Sequence, residues 1–283
     1  MNILMDEMRP SPEIWSVAPR QVSVALQNAC DLTCSYCYAP KAAARLDAET
    51  VVSWLAELDR HGCLGVGFGG GEPTLFRQFA SLCRTVTAET GLAVSFTTHG
   101  HRLDKALCSA LVGNVHFVRI SMDGVEGTYE RLRGRSFAKL IEALQKVRAI
   151  APFGINYVVN EETLPDLDAA LDIAHDEGAA EFLLLPEQPV AGKGGIREAT
   201  ARELAAWVDK YAGRVPLAVS TVGGDSLPTC SPTPSERPLD AYAHIDARST
   251  LKRSSFDSEG ERIGTYGVLH ALRRLRERDG LLS

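Results

Sequence analysis

Cys30, Cys34 and Cys37 follow one another as C-x3-C-x2-C in the stretch Cys30-Asp31-Leu32-Thr33-Cys34-Ser35-Tyr36-Cys37-Tyr38. Soft thiolates converging over so short a span suit an iron–sulfur cluster or a zinc ion. A closed zinc site needs four ligands, and a cubane held by protein alone needs four cysteines. The next cysteine is Cys63. Three thiolates on a four-iron cluster leave one iron open, and an open metal position is where chemistry occurs. A zinc site completed by histidine is the alternative, although no histidine lies at the short downstream spacing of such sites.

These residues need elements to position them, and the chain supplies a regular series. Strands are expected at 22–28, 64–68, 92–97, 115–121, 154–159 and 181–185, each followed by a helical pattern. Six strand–helix units in strict alternation argue for parallel connections. The number falls short of the eight units of a closed barrel. The fold class expected is therefore α/β: an open, partial (β/α)6 TIM-like barrel with a short C-terminal extension of hairpin plus helix. In such barrels the active site lies at the C-terminal strand ends. The cysteine loop follows strand one, Gly70-Gly71-Glu72 follows strand two, and Thr98 ends strand three. Ser121 and Asp123 end strand four, and Pro186-Glu187-Gln188 follow strand six. Strand period two puts Arg119, Ser121 and Asp123 on the inner face, with Val118 and Ile120 outward.

The cysteine spacing, with aromatic Tyr36 before the last cysteine, resembles the signature of the radical S-adenosylmethionine (SAM) superfamily. The resemblance implies one [4Fe-4S] cluster on Cys30, Cys34 and Cys37, with S-adenosyl-L-methionine chelating the free iron. An electron then cleaves SAM to a 5′-deoxyadenosyl radical, which abstracts hydrogen from substrate. Gly70-Gly71-Glu72-Pro73 resembles the family's GGE motif, which receives the SAM amino group: glycines admit close approach, and a carboxylate meets the ammonium. By the same resemblance Ser121 and Asp123 contact ribose and carboxylate, and Tyr36 packs near adenine. Thr98 is counted with the SAM contacts, and Leu185 offers an apolar wall. Arg133 either neutralises the SAM carboxylate or ends a helix in solvent. Thr98-His99-Gly100 stands where relatives often carry Thr-Asn-Gly, so His99 is a departure without an assigned contact.

The chain of 283 residues is 45% hydrophobic and 23% charged, as ordinary globular proteins are. A net charge of −6 without a basic tract disfavours nucleic acid. No apolar run approaches the ~20 residues of a membrane helix, and the N-terminus lacks signal-peptide features. Seven cysteines, an odd number, do not form a disulfide framework, which points to a reducing, cytoplasmic setting. Cys63, Cys83 and Cys108 are expected to be structural thiols.

The expected divisions are an irregular lead-in at 1–20, the barrel at 21–215 and the extension at 216–283. The extension resembles the SPASM/twitch region of peptide-maturing radical SAM enzymes without its auxiliary-cluster cysteines, since only Cys230 remains. A single cluster is therefore expected, with Cys230 a candidate hydrogen donor. The resemblance implies a ribosomally made peptide as substrate, with crosslinking or epimerisation as the modification. A small metabolite of natural-product biosynthesis is the alternative substrate, and a non-catalytic iron–sulfur scaffold is the alternative class. A reductant such as flavodoxin or ferredoxin is implied as partner.

Overall fold

The computed structural model describes residues 17–189, 194–220, 222–224, 227 and 237–281. Seven parallel strands follow one another: β1 (Gln21–Gln27), β2 (Gly65–Gly70), β3 (Ala93–Thr98), β4 (Phe117–Ser121), β5 (Phe153–Val159), β6 (Glu181–Pro186) and β7 (Leu217–Val219). The connecting helices are α1 (Ala48–Asp59), α2 (Phe79–Glu89), α3 (Lys105–Leu111), α4 (Glu126–Arg133), α5 (Phe137–Arg148), α6 (Leu167–Asp176) and α7 (Glu198–Lys210). A short helix α8 (Pro238–Ala241), strands β8 (Tyr242–Ile245), β9 (Thr250–Lys252) and β10 (Glu261–Arg262), and helix α9 (Val268–Arg278) complete the order.

Local chemistry explains several boundaries. Asp47 caps α1 by accepting the Thr50 N–H at 2.9 Å, and Asp104 caps α3 through the Leu107 N–H at 2.8 Å. Gly134 ends α4 in the left-handed region at φ 62°. Residues of alternating parity are buried against the helices: Val22 and Val24, Val66 and Phe68, Val118 and Ile120, Phe182 and Leu184. A one-residue slip of β4 would bring Val118 and Ile120 out of this core. At roughly 1.5–3 kcal/mol per buried aliphatic side chain, that loss fixes the register.

The six expected strands and their helices are present, and the sheet does not close. Two features go beyond the expected pattern. Helix α4 follows β4 directly, where its polar sequence carries little apolar periodicity. The sheet is also wider, with strand order β10-β9-β8-β1-β2-β3-β4-β5-β6-β7. The expected hairpin is β8 with β9, antiparallel, but β8 itself runs parallel to β1, pairing Ser23 with His244. The hairpin thus continues the barrel sheet across the edge of its first strand. No helix among the described residues is long and apolar enough to cross a membrane.

Candidate active site

The loop after β1 carries Cys30, exposed, and Cys34 and Cys37, half-buried; all three are free thiols. The Cys37 N–H donates to the Cys34 carbonyl at 3.2 Å, and the Leu32 N–H points at Cys30 Sγ at 3.4 Å. Burial pushes the Cys30 thiol above its usual range. A tetrahedral zinc with Zn–S of ~2.3 Å would draw its sulfurs to within ~3.8 Å of one another. Among the described residues the three sulfurs are not grouped within 4.8 Å. The group that does form at that range is Cys30 with Asp31 and His99. Within that group His99 Nε2 faces Asp31 Oδ1 at 2.9 Å, and Nδ1 accepts the His101 N–H at 3.1 Å. Among the described residues no histidine groups with all three cysteines.

The glycines at the end of β2 meet the stem of this loop. The Gly71 N–H donates to the Gln27 carbonyl at 2.7 Å, and the Glu72 N–H to the Ala29 carbonyl at 2.8 Å. A Cβ on Gly71 would lie 2.1 Å from the Ala29 oxygen. One on Gly70, at φ +109°, would lie 2.4 Å from the Gln27 oxygen. Their freedom from side chains serves a backbone-to-backbone approach inside the protein. The glycine with open space above it is Gly69, where a Cβ would meet nothing within 4 Å. Gly69 stands one place before the Gly70-Gly71-Glu72 motif, so the motif alone does not single it out.

Glu72 is 1% exposed, and its carboxylate is occupied by protein donors. Oε1 accepts from the Thr74 N–H at 3.1 Å and from the Thr74 and Thr98 hydroxyls, each at 2.6 Å. Oε2 accepts the His99 N–H at 3.1 Å. Thr98 shares its parity with Val94 and Phe96, so its hydroxyl ties β3 to Glu72. Thr97, of the other parity, is the threonine on the inner face.

Asp123 is fully buried. Its Oδ1 accepts the Val158 N–H at 2.7 Å, while Oδ2 accepts from the Tyr36 hydroxyl at 2.6 Å and from the Arg133 guanidinium. Burial and the negative Asp123 raise the Tyr36 phenol well above its usual range. Burial works against the charge on Arg133, but Asp123 outweighs it and raises the guanidinium pKa. Arg133 therefore ends α4 inside the protein, bound to Asp123. Ser121 is half-buried on the inner face of β4, and Leu185 is half-buried on that of β6, beside Val158 in register. Arg119 pairs with Glu181 and hydrogen-bonds Asn156 at 3.2 Å, so it braces the lower lumen.

The extension adds contacts that the sequence did not announce. Tyr38 packs against Phe256 with ring centroids 4.6 Å apart and planes tilted by 48°, which joins the cysteine loop to the segment after β9. Ser23 Oγ on β1 lies 2.5 Å from the Tyr242 hydroxyl and 2.7 Å from His244 Nδ1 on β8. Burial, with Lys252 nearby, lowers the His244 pKa to about 4. Cys230 lies outside the described residues. Cys63 and Cys83 are buried thiols raised by burial to about 11 and about 12, and Cys108 is half-buried.

The radical SAM superfamily profile matches residues 24–174, from β1 through most of α6. The chain belongs to the radical SAM superfamily. It is similar to the sporulation killing factor maturation protein SkfB of Bacillus subtilis (strain 168), 28% identical over 189 residues, covering 64% of this chain and 46% of SkfB. The PqqA peptide cyclase of Rhodopseudomonas palustris is 33% identical over 166 residues, covering 55% of this chain and 44% of the cyclase. This radical SAM chain thus spans about half the length of the curated relatives it matches.

Among solved structures, anSMEcpe with bound AdoMet and a peptide superposes with a TM-score of 0.71 at 16% identity, covering 93% of this chain and 83% of that one. SuiB of Streptococcus suis bound to S-adenosylmethionine gives a TM-score of 0.67 at 14% identity, covering 84% and 60%. At those identities the likeness is one of fold.

Proposed function

We propose that this chain is a single-cluster radical SAM enzyme that modifies a ribosomally made peptide. The observation that carries the reading is the cysteine loop: three free thiols spaced C-x3-C-x2-C at the C-terminal mouth of a partial barrel of this family. Residues 21–215, with β7 added to their sheet, act as the catalytic barrel, and the hairpin and helix within 216–283 as an extension beside β1.

Cys30, Cys34 and Cys37 hold the [4Fe-4S] cluster. When bound, that cluster and SAM together supply a 5′-deoxyadenosyl radical for hydrogen abstraction. The chain's own residues bind and orient. Gly69 leaves room on the inner face for SAM beside Gly70, Gly71 and Glu72. Ser121 offers a hydroxyl, and Leu185 with Val158 an apolar wall that excludes water. Asp123 and Thr98 act through neighbours: the first fixes the Tyr36 ring beside the cluster loop, and the second fixes Glu72. A one-electron donor of the flavodoxin or ferredoxin class supplies the electron.

The peptide substrate is supported by the curated relatives, whose names describe a peptide cyclase and a maturation protein. A match of 32% identity over 109 residues to a GTP 3′,8-cyclase favours a second reading, a small-molecule substrate. Anaerobic reconstitution followed by assay for 5′-deoxyadenosine under reductant tests the activity. A cluster-loaded protein that forms none supports a non-catalytic scaffold. Cys230→Ala tests the hydrogen-donor role, and product formed at undiminished turnover removes it.

A further inference from the structure

His99 is 3% exposed, and its ring lies between two carboxylates. Nδ1 accepts the His101 N–H at 3.1 Å, which places the ring proton on Nε2. That nitrogen is 2.9 Å from Asp31 Oδ1 and 3.3 Å from Glu72 Oε2. Asp31 belongs to the cysteine loop and is peptide-bonded to Cys30. Glu72 belongs to the end of β2, and the His99 backbone N–H holds it at 3.1 Å.

The remaining groups of Asp31 are also taken. Oδ2 accepts from Arg102 Nε at 2.9 Å, and the carbonyl accepts from Arg135 Nη2 at 3.0 Å. One imidazole therefore couples the first cysteine to the strand ends that form the mouth. We infer that His99 is a positioning residue that fixes Cys30 for cluster binding by joining Asp31, through its ring Nε2–H, to Glu72, through its backbone N–H. This rests on the assignment of Cys30, Cys34 and Cys37 to the cluster.

The bridge depends on reach. An asparagine at position 99 keeps the backbone N–H on Glu72, but its side chain ends one ring atom short of Asp31. The hydrogen bond lost is one to a charged acceptor, the stronger class.

The test uses the full-length protein, reconstituted without oxygen. His99→Asn and His99→Ala should release iron to a chelator about tenfold faster than wild type, a loss in the range of one charged hydrogen bond. The SAM-induced change in the electron paramagnetic resonance spectrum should be altered, and amide exchange of the apoprotein over 29–38 should accelerate. Asp31→Ala, which also loses the Arg102 contact, should produce at least these effects, and the double variant His99→Ala/Asp31→Ala should not exceed Asp31→Ala alone.

A merely structural role would lower the melting temperature while leaving the spectrum, the iron release and the local exchange unchanged, and that result overturns the inference. So do additive effects in the double variant. If the alanine variant does not fold, the asparagine variant decides. If wild-type protein binds no cluster, the cluster assignment has failed, and amide exchange of the apoprotein alone decides whether His99 holds the loop.

Discussion

The Asp123 carboxyl has no exposed surface, and the Arg133 guanidinium is bound to it in the same interior. Removing one partner of a buried ion pair leaves the other uncompensated. Asp123→Asn is therefore expected to destabilise the apoprotein by ~3–5 kcal/mol, read as a shift of the urea midpoint. Tyr36→Phe removes only a hydrogen bond to that carboxylate and is expected to cost ~1.5–3 kcal/mol by the same measurement. If the asparagine variant proves no less stable than the phenylalanine variant, the ion pair does not hold this corner.

His244 gives a pH dependence at the same scale. Burial holds its folded pKa at about 4, below the usual ~6.5. The unfolded chain then binds the extra proton between those values, so stability is full above ~6.5 and falls as the pH drops toward 4. The loss between pH 7 and pH 5 should be on the order of 2 kcal/mol, measured by denaturation of the apoprotein, and it should shrink in His244→Gln.

At the scale of elements, the seam between the β1 and β2 ends depends on absent side chains. Gly71→Ala places a methyl 2.1 Å from the Ala29 oxygen, a backbone atom that cannot swing aside. The stem of the cysteine loop must shift, and both hydrogen bonds from Gly71 and Glu72 to the loop weaken. The variant is expected to fold but to take up less than about half the wild-type iron on reconstitution, a loss consistent with a shift costing ~1–3 kcal/mol. Normal iron content would show that the loop tolerates the displacement. Strand β8 does a different job, because it covers the edge of β1, which would otherwise present unpaired backbone groups.

For the whole molecule, a sheet extended on the β1 side sets the cysteine loop between barrel and extension. Tyr38 against Phe256 closes that contact. The described part of the extension offers no thiol, so one cluster is the expectation. Reconstituted protein should bind about four irons per chain, falling to near zero in Cys34→Ala, measured by iron and sulfide analysis. A stoichiometry near eight would overturn the single-cluster reading and require further ligands outside the described residues.

Local pattern decided much of this in advance. The period-two burial of β2, β3, β4 and β6, the alternation with helices, and the thiol spacing are properties of neighbouring residues, so the barrel and its cysteine loop were legible in the chain. The polar groups at the strand ends were legible as a set, but their partners were not. Glu72 looks like a ligand-facing acid until the Thr98 hydroxyl and the His99 amide, more than twenty residues away, occupy it. Ser23 meets Tyr242 and His244 only because β8 pairs parallel to β1 across more than two hundred residues. Periodicity specifies which face a side chain takes, since that depends on a few adjacent dihedrals. Which distant group meets it depends on how strands are ordered and loops closed, and that was decided only when the chain folded.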